Sequence, residues 1–212
     1  MHTLLLIGAS GQVGGQILAQ ALADPAIGVV VAPTRRPLTP HHKLNNPVID
    51  FAKLPAQAPW WRADALLCAL GSTMRQAGSQ AAFYQIDHDM VIDSASLAHA
   101  AGTPVMVYNS SLGADPGTRN FYLRVKGEVE RDLGQIGFAS LSLVRPSLLI
   151  GGPRPDARPG EQAAIWLART FAPLIPARYR AVPTGAVARA MLAAAGASRP
   201  GTSIIESDQL QE

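Results

Sequence analysis

The sequence predicts an α/β fold in which a doubly wound parallel sheet is covered by helices on both faces. Short apolar runs alternate with helix-typical segments along the 212 residues, as in sheets whose parallel strands are buried on both sides. A glycine-rich turn, Gly8–Gly14, also joins the first apolar run, Thr3–Ile7, directly to an amphipathic segment at residues 12–23. Strand, glycine turn and helix in this order are typical of a Rossmann-like nucleotide-binding unit.

The first half of the chain supplies four predicted strands. The first is Thr3–Ile7, and the second is residues 27–32, which end at a loop containing several prolines. Residues 47–50 give a short third strand, and residues 65–70 give a fully apolar fourth strand. Polar and glycine residues at 71–79 predict a loop at the carboxyl end of that fourth strand.

The second half continues the same alternation. A long helix is predicted at residues 81–101, because Gly102 and Pro104 end it. Prolines and arginines at residues 151–160 indicate a functional loop. We expect one domain over residues 1–212, in which residues 151–212 form a small C-terminal portion on the substrate side. The other predicted elements are strands at 105–109, 140–145 and 204–205 and helices at 121–133, 161–171 and 185–195.

Composition narrows the function classes. The net charge is only +3, and the chain contains no block of basic residues with interleaved aromatic residues. Nucleic-acid binding therefore has no support. No apolar run approaches the roughly 20 residues of a membrane span, and the N-terminal run lacks the basic start of a signal peptide. The single cysteine, Cys68, lies in an apolar run and predicts a buried, unreactive thiol in a cytoplasmic protein. The protein is expected to be a monomer or a homodimer, with the helices at 81–101 and 121–133 as candidate interface.

Candidate ligand-binding residues follow the strands at one edge of the predicted sheet. Ligands of parallel sheets bind beyond the carboxyl ends of the strands. The glycine turn would bring bare backbone and the N-terminus of the first helix against a pyrophosphate. The predicted phosphate-binding residues are Gly8, Ser10, Gly11, Gln12, Val13 and Gly14, and further cofactor contacts are predicted at Asp50, Phe51, Leu70, Gly71 and Ser72.

The end of the second strand favours NADP(H) over NAD(H). NAD-selective folds carry an acidic residue here to bind the ribose 2′-hydroxyl, whereas arginine accommodates a 2′-phosphate. This chain has Arg35 and Arg36, with Thr34 as a further donor and no carboxylate nearby. A guanidinium can bind phosphate through two N–H groups. The alternative interpretation is a pair of surface arginines in a loop.

Tyr122 and Lys126 form a Y-x-x-x-K pair on a predicted helix. Spacing of four residues places both side chains on one helix face. A nearby cation lowers the pKa of a tyrosine and so favours proton transfer by its phenol. Ser110 or Ser111, at the end of the fifth strand, could bind a substrate carbonyl. The alternatives are an exposed helix pair and a turn that happens to contain two serines.

The glycine turn, the serines and the Y-x-x-x-K pair together resemble the short-chain dehydrogenase/reductase superfamily. The likeness is greatest to its atypical members, the group of Tat-interacting oxidoreductases, and covers nearly the whole chain. In the superfamily, a structural asparagine occupies the helix position that is Asp87 here. The similar stretches are Cys68–Thr73, Ile86–Val91, Ser110–Asp115, Tyr122–Glu130, Arg145–Pro146, Arg158–Glu161 and Arg189–Leu192.

This resemblance implies a Rossmann-like oxidoreductase that binds NADP(H). Tyr122 would be the proton donor or acceptor, and Lys126 would bind the nicotinamide ribose and favour ionisation of the Tyr122 phenol. A hydroxyl of Ser110 or Ser111 would orient a small carbonyl or alcohol substrate. Hydride would then pass between the cofactor and the substrate carbon.

Two other functions stay open. The protein could be an NADPH-binding redox sensor or interaction module without turnover. It could also be a nucleotide-sugar epimerase or dehydratase, although such enzymes usually carry a larger C-terminal substrate domain than residues 152–212 provide. We expect no metal site, because His41 and His42 are adjacent and His88 and His99 lie on a helix without matching ligands.

Overall fold

A computed structural model describes residues 1–151 and 176–211 of the chain. Within them, seven parallel strands form one sheet in the order β3-β2-β1-β4-β5-β6-β9. The reversal of strand order between β1 and β4 is the switch point at which such sheets bind ligands. This sheet confirms the predicted doubly wound α/β fold. Its strands are β1 (Thr3–Ile7), β2 (Val29–Val31), β3 (Leu44–Asn45), β4 (Ala65–Cys68), β5 (Val105–Asn109), β6 (Ser140–Arg145) and β9 (Gly201–Glu206), and a separate parallel pair joins β7 (Leu149–Ile150) to β8 (Val182–Pro183).

Helices cover the sheet on both faces. None of those in residues 1–151 and 176–211 combines the length and apolar character needed to cross a bilayer. The α-helices are α1 (Gln12–Ala23), α2 (Met74–Ala77), α3 (Gln80–Tyr84), α4 (Met90–Ala100), α5 (Phe121–Ile136) and α6 (Thr184–Ala197); a π-helical turn (Gln85–Asp89) joins α3 to α4, and 3₁₀ turns occur at Pro59–Trp61, Ala177–Tyr179 and Ser207–Leu210.

The central strands divide their side chains between two cores. On β1, Leu4 and Leu6 pack with α1 and α6 on one face. Leu5 and Ile7 pack with α4 and α5 on the other face. All four side chains are completely buried. Because successive residues of a strand point to opposite faces, an unbroken apolar run is what a strand between two helical layers requires.

Helix α5 is placed by signals at both of its ends. The Asn120 side chain accepts a hydrogen bond from the Leu123 amide at 3.1 Å, and Gly137 ends the helix with φ of 95°. Both are common helix caps. Near its middle, Gly127 packs so closely on the backbone of Asp115 and Pro116 that a side chain there would overlap them. These contacts hold the face that carries Tyr122 and Lys126 beside the sheet edge.

Several predicted boundaries were wrong. The third strand is Leu44–Asn45, and within the predicted residues 47–50 only Val48 forms an isolated bridge to Thr34. Part of the predicted loop at 71–79 is helix α2, and the π-helical turn interrupts the predicted helix at 81–101. The last strand begins at Gly201, ahead of the predicted residues 204–205. The predicted helix at 161–171 and most of the loop at 151–160 lie outside the described residues.

Candidate functional site

The turn after β1 is built from bare backbone. Gly8 has φ of 90°, and a side chain on it would come within 2.6 Å of the Ala69 and Leu70 backbone. A side chain on Gly14 would overlap the carbonyl oxygen of Gly8. The Gly11 amide donates to that same carbonyl at 3.0 Å. Glycine is therefore required at Gly8 and Gly14 by the close approach of three chain segments.

This turn leaves the N-terminus of α1 available to a ligand. Gly11 is the N-cap residue that precedes the helix and supplies no side-chain cap, so the first amide groups of α1 are not satisfied by a capping side chain. Ser10 and Gly11 are exposed and Gln12 is half-buried, whereas Val13 is buried in the core under α1. Of the predicted phosphate-binding residues, Val13 therefore has its side chain committed to packing.

The turn after β2 presents two guanidinium groups. Arg35 and Arg36 are both exposed, at the edge of the sheet next to the glycine turn. Thr34 is buried; its hydroxyl donates to the Arg36 carbonyl at 2.6 Å and accepts from the Asn46 side-chain amide at 2.8 Å. Thr34 thus fixes the turn that carries the arginines, and its hydroxyl is already paired.

The segments that follow β3 and β4 contain the other predicted cofactor residues. Asp50 is exposed, and its carboxylate accepts from the Ala52 amide at 2.9 Å, while Phe51 is half-buried. Leu70 is half-buried and Gly71 is exposed. Ser72 donates from both its amide and its hydroxyl to one oxygen of Asp87, at 2.7 and 2.8 Å.

Lys126 is buried between two polar partners. Its ammonium lies 3.1 Å from Oδ1 of Asp87 and donates to the Tyr108 hydroxyl at 3.0 Å. Asp87 and Tyr108 are both completely buried. A side chain on Gly71 would lie 3.3 Å from Asp87 and 3.7 Å from the Lys126 nitrogen, so the bare backbone of Gly71 lies directly over this ion pair.

The surroundings of Lys126 favour its charged form. Burial alone would lower the pKa of Lys126, but Tyr108, Asp87 and Tyr122 together raise it above its usual range. Burial in turn raises the pKa of Tyr108, although the neighbouring ammonium opposes that effect. The centre therefore holds a buried ammonium ion beside a neutral phenol.

Tyr122 lies at the surface end of the same helix face. Its ring centre is 6.0 Å from the Lys126 ammonium and packs edge-on against Phe83 at 5.9 Å between ring centres. The residue is 38% exposed, so its phenol is accessible from solvent. Tyr122 and Lys126 therefore lie side by side, as their spacing predicts. Lys126 is buried, whereas Tyr122 is exposed to solvent.

The two serines after β5 differ in accessibility. Ser110 is buried, and its hydroxyl has no hydrogen-bond partner among the described residues. Ser111 is half-buried, and within the described residues its hydroxyl makes one long contact, of 3.5 Å, with the Leu112 carbonyl. Ser111 can therefore reach a ligand without rearrangement of the strand end.

Sequence analysis missed the partners of Lys126. Tyr108 lies within an apolar strand, and Asp87 was noted only for replacing an asparagine. Asp87 itself was a usable signal. A carboxylate on the buried side of a helix requires a cation or several hydrogen-bond donors nearby. In the parts of the chain that the structure describes, no group of three or more His, Cys, Asp or Glu side chains could hold a metal ion.

Solved structures with similar folds include sugar-nucleotide epimerases and a reductase domain. MoeE5 in complex with UDP-glucose and NAD has a TM-score of 0.73 at 18% identity, covering 98% of this chain and 79% of that one. The Helicobacter pylori ADP-L-glycero-D-manno-heptose-6-epimerase has a TM-score of 0.71 at 16% identity, covering 97% and 76%. The PhqB reductase domain from Penicillium fellutanum has a TM-score of 0.69 at 18% identity, covering 96% and 66%. These likenesses confirm the Rossmann-like fold.

Sequence relatives give the narrower assignment. Protein HTATIP2 from Rattus norvegicus is 38% identical over 198 residues, covering 90% of this chain and 79% of that protein. The mitochondrial protein fmp52 from Emericella nidulans is 34% identical over 178 residues, covering 79% and 75%. No protein-family profile matches the chain. The chain belongs to the HTATIP2-related family of short-chain dehydrogenase/reductase-like proteins.

Proposed function

We propose that the protein is an NADP(H)-dependent oxidoreductase that transfers hydride to or from a small carbonyl or alcohol substrate. The observation that carries this proposal is the Tyr122–Lys126 pair, whose ring-to-ammonium distance is 6.0 Å. The pair follows β5 at the sheet edge where ligands of this fold bind. An accessible phenol beside a buried ammonium ion is suited to proton transfer at a substrate oxygen.

The residues at this edge fit a nicotinamide dinucleotide. The close-packed glycines leave no side chain between the backbone and a pyrophosphate, and α1 begins without a capping side chain. The exposed Arg35 and Arg36 carry the charge and donors that a 2′-phosphate needs. The nicotinamide ribose would be held by Lys126, with Leu70, Gly71 and Ser72 nearby. Several solved neighbours, MoeE5 among them, were determined with NAD, and this supports a nicotinamide dinucleotide as the cofactor. The preference for NADP(H) over NAD(H) is inferred from Arg35 and Arg36.

Each residue of the centre would have a separate task. When bound, the nicotinamide ring would supply or accept the hydride. The Tyr122 hydroxyl would donate a proton to the substrate oxygen during reduction or remove it during oxidation. The positive charge of Lys126 would stabilise the phenolate form of Tyr122 that results from donation. The Ser111 hydroxyl would hold the substrate oxygen by a hydrogen bond. We assign this task to Ser111 and not to Ser110, because only Ser111 is accessible.

Binding and turnover can be tested separately. We expect NADPH to bind in a fluorescence titration with a Kd at least tenfold below that for NADH. Tyr122→Phe is expected to reduce turnover at least 10³-fold while NADPH still binds, and Tyr84→Phe provides a matched control on α3. The substrate panel should contain small aldehydes, ketones and alcohols together with UDP-sugars. Absence of binding to either dinucleotide would contradict the proposal, and binding without turnover on any substrate would favour an NADPH sensor.

A further inference from the structure

The buried ion pair beneath Gly71 has a role that the proposed reaction does not yet use. Asp87 lies in the middle of the π-helical turn, and π-helical turns occur frequently at functional sites. One carboxylate oxygen is held by the amide and hydroxyl of Ser72, and the other lies 3.1 Å from the Lys126 ammonium. The carboxylate is thus fixed from one side and pairs with the lysine on the other.

Lys126 has two polar partners among the described residues. Its ammonium forms an ion pair with Oδ1 of Asp87 at 3.1 Å and donates a hydrogen bond to the Tyr108 hydroxyl at 3.0 Å. These partners belong to different elements, the π-helical turn and β5, so together they fix the position of the nitrogen.

The two partners differ in charge. The Tyr108 phenol is neutral, whereas the Asp87 carboxylate compensates the charge of the ammonium ion. Tyr122 therefore lies beside a compensated ion pair and not beside an isolated cation. Among the residues that the structure describes, the other titratable groups that act on Lys126 are Tyr122, Tyr108 and Cys68 on β4, whose pKa burial raises to about 11. Cys68 and Tyr108 are uncharged near neutral pH, so within this part of the chain Asp87 is the anion that balances Lys126.

We propose that Asp87 is a positioning residue of the catalytic centre, which fixes Lys126 and sets the net charge that the Tyr122 phenol experiences. The proposal rests on the function assigned above to Tyr122 and Lys126, but its test does not require a substrate. Removal of the negative charge should make the Tyr122 phenol ionise at lower pH, because the ammonium is then less compensated. A unit charge that acts at a partly buried site shifts a titration midpoint by about one pH unit.

The test is an absorbance titration of tyrosinate at 295 nm in the protein without cofactor. Subtraction of the Tyr122→Phe titration isolates Tyr122 from the other tyrosines. We expect Asp87→Asn to lower the Tyr122 midpoint by about one unit. Asp89→Asn is the matched control, since Asp89 lies in the same π-helical turn but pairs with His88, and it should shift the midpoint by less than about 0.2 units. An unchanged or raised midpoint in Asp87→Asn would overturn the proposal.

A second measurement uses the unaltered protein and so does not depend on the folding of Asp87→Asn. The chain contains three lysines, so the Lys126 Nζ resonance can be assigned in a ¹⁵N-lysine sample. We expect it to keep its ammonium chemical shift in a titration to pH 10. Deprotonation below pH 10 would overturn the proposal even if NADPH bound. Conversely, absence of turnover with both titrations as expected would contradict the proposed reaction and leave the role of Asp87 intact.

Discussion

Arg145 and Glu130 form a two-pronged ion pair that joins the carboxyl end of β6 to the middle of α5. Nε of Arg145 lies 2.9 Å from one carboxylate oxygen of Glu130, and Nη2 lies 2.5 Å from the other. A third contact, 3.3 Å long, reaches Glu206 at the end of β9. Glu130 is buried, so this arginine compensates a carboxylate that is largely removed from solvent. The pair fixes α5, and with it Tyr122 and Lys126, against the sheet.

Arg145→Ala should therefore destabilise the protein strongly. The substitution leaves the Glu130 carboxylate buried and uncompensated, and loss of one partner of a buried pair costs about 3 kcal/mol. Urea unfolding followed by circular dichroism measures the loss. The matched control is Arg131→Ala, because Arg131 pairs with Asp132 at the exposed surface of the same helix, where ion pairs contribute little. Equal losses in the two variants would contradict the structural role of the Arg145–Glu130 pair.

Neighbouring glycines of α1 should respond to alanine in opposite ways. A side chain on Gly14 would overlap the Gly8 carbonyl, whereas one on Gly15 would meet only the Ala9 carbonyl at 3.7 Å, an ordinary contact. Gly14→Ala should displace the turn after β1 and weaken NADPH binding at least tenfold. Gly15→Ala should preserve binding and stabilise the helix by up to about 1 kcal/mol. Unimpaired NADPH binding by Gly14→Ala would show that the turn is not the phosphate site.

The exposed arginines after β2 should determine cofactor preference. Replacement of both Arg35 and Arg36 by alanine removes the charged donors for a 2′-phosphate. We expect the Kd for NADPH to rise roughly 10- to 100-fold and the Kd for NADH to change less than about twofold, since NADH lacks this phosphate. Arg62→Ala, an exposed arginine elsewhere on the surface, controls for the loss of general positive charge. Parallel weakening of NADPH and NADH binding would contradict the assignment.

Asp64 should make stability depend on pH on the acid side. Its carboxylate accepts from the backbone amides of Thr3, at 3.0 Å, and His2, at 2.5 Å. Hydrogen bonding by Thr3 is the main reason why the pKa of Asp64 lies below its usual value, and burial opposes it. A carboxylate with a lowered pKa stabilises the folded state above its unfolded pKa of about 3.9 and loses that contribution as pH falls.

Asp64→Ala should therefore reduce the free energy of unfolding at pH 7 and have a smaller effect at pH 3. Urea unfolding of both proteins at the two pH values measures the difference. Asp50→Ala is the control, because Asp50 is an exposed carboxylate that bonds only the local Ala52 amide. An Asp64→Ala effect of equal size at both pH values would show that the carboxylate charge is not involved.

The sequence predicted the sheet well where strands lie in its centre. Central strands such as β1 and β5 are buried on both faces, so their apolar runs are unbroken and easily recognised. The third strand lies at the edge, where Leu44 is half-buried and Asn45 is exposed. The hydrogen bonds of this edge strand depend on its neighbour β2. The prediction placed the strand at residues 47–50 because they are more apolar than Leu44 and Asn45. The π-helical turn was missed because its residues are compatible with an ordinary α-helix.

The candidate site was predictable in outline and not in its electrostatics. Spacing alone placed Tyr122 and Lys126 on one helix face, and the strand ends gathered the glycine turn and the arginines at one edge. The contacts of Lys126 with Asp87 and Tyr108 could not be predicted from the sequence. The three residues are far apart in the chain and belong to three different elements. The accessibility that separates Ser111 from Ser110 likewise depends on how the end of β5 enters the loop.

The packing of α6 against α1 fixes the order in which the chain can complete its fold during synthesis. The Gln20 side chain donates to the Gly185 carbonyl at 3.0 Å, and Ile17 on α1 shares a core with Val187 and Met191 on α6. The ribosome makes the N-terminus first. Helix α1 therefore cannot pack against α6 until residues 184–197 have been synthesised. A chain that stops before Thr184 would lack the α6 side chains of this core, so truncated products should be the aggregation-prone species in expression.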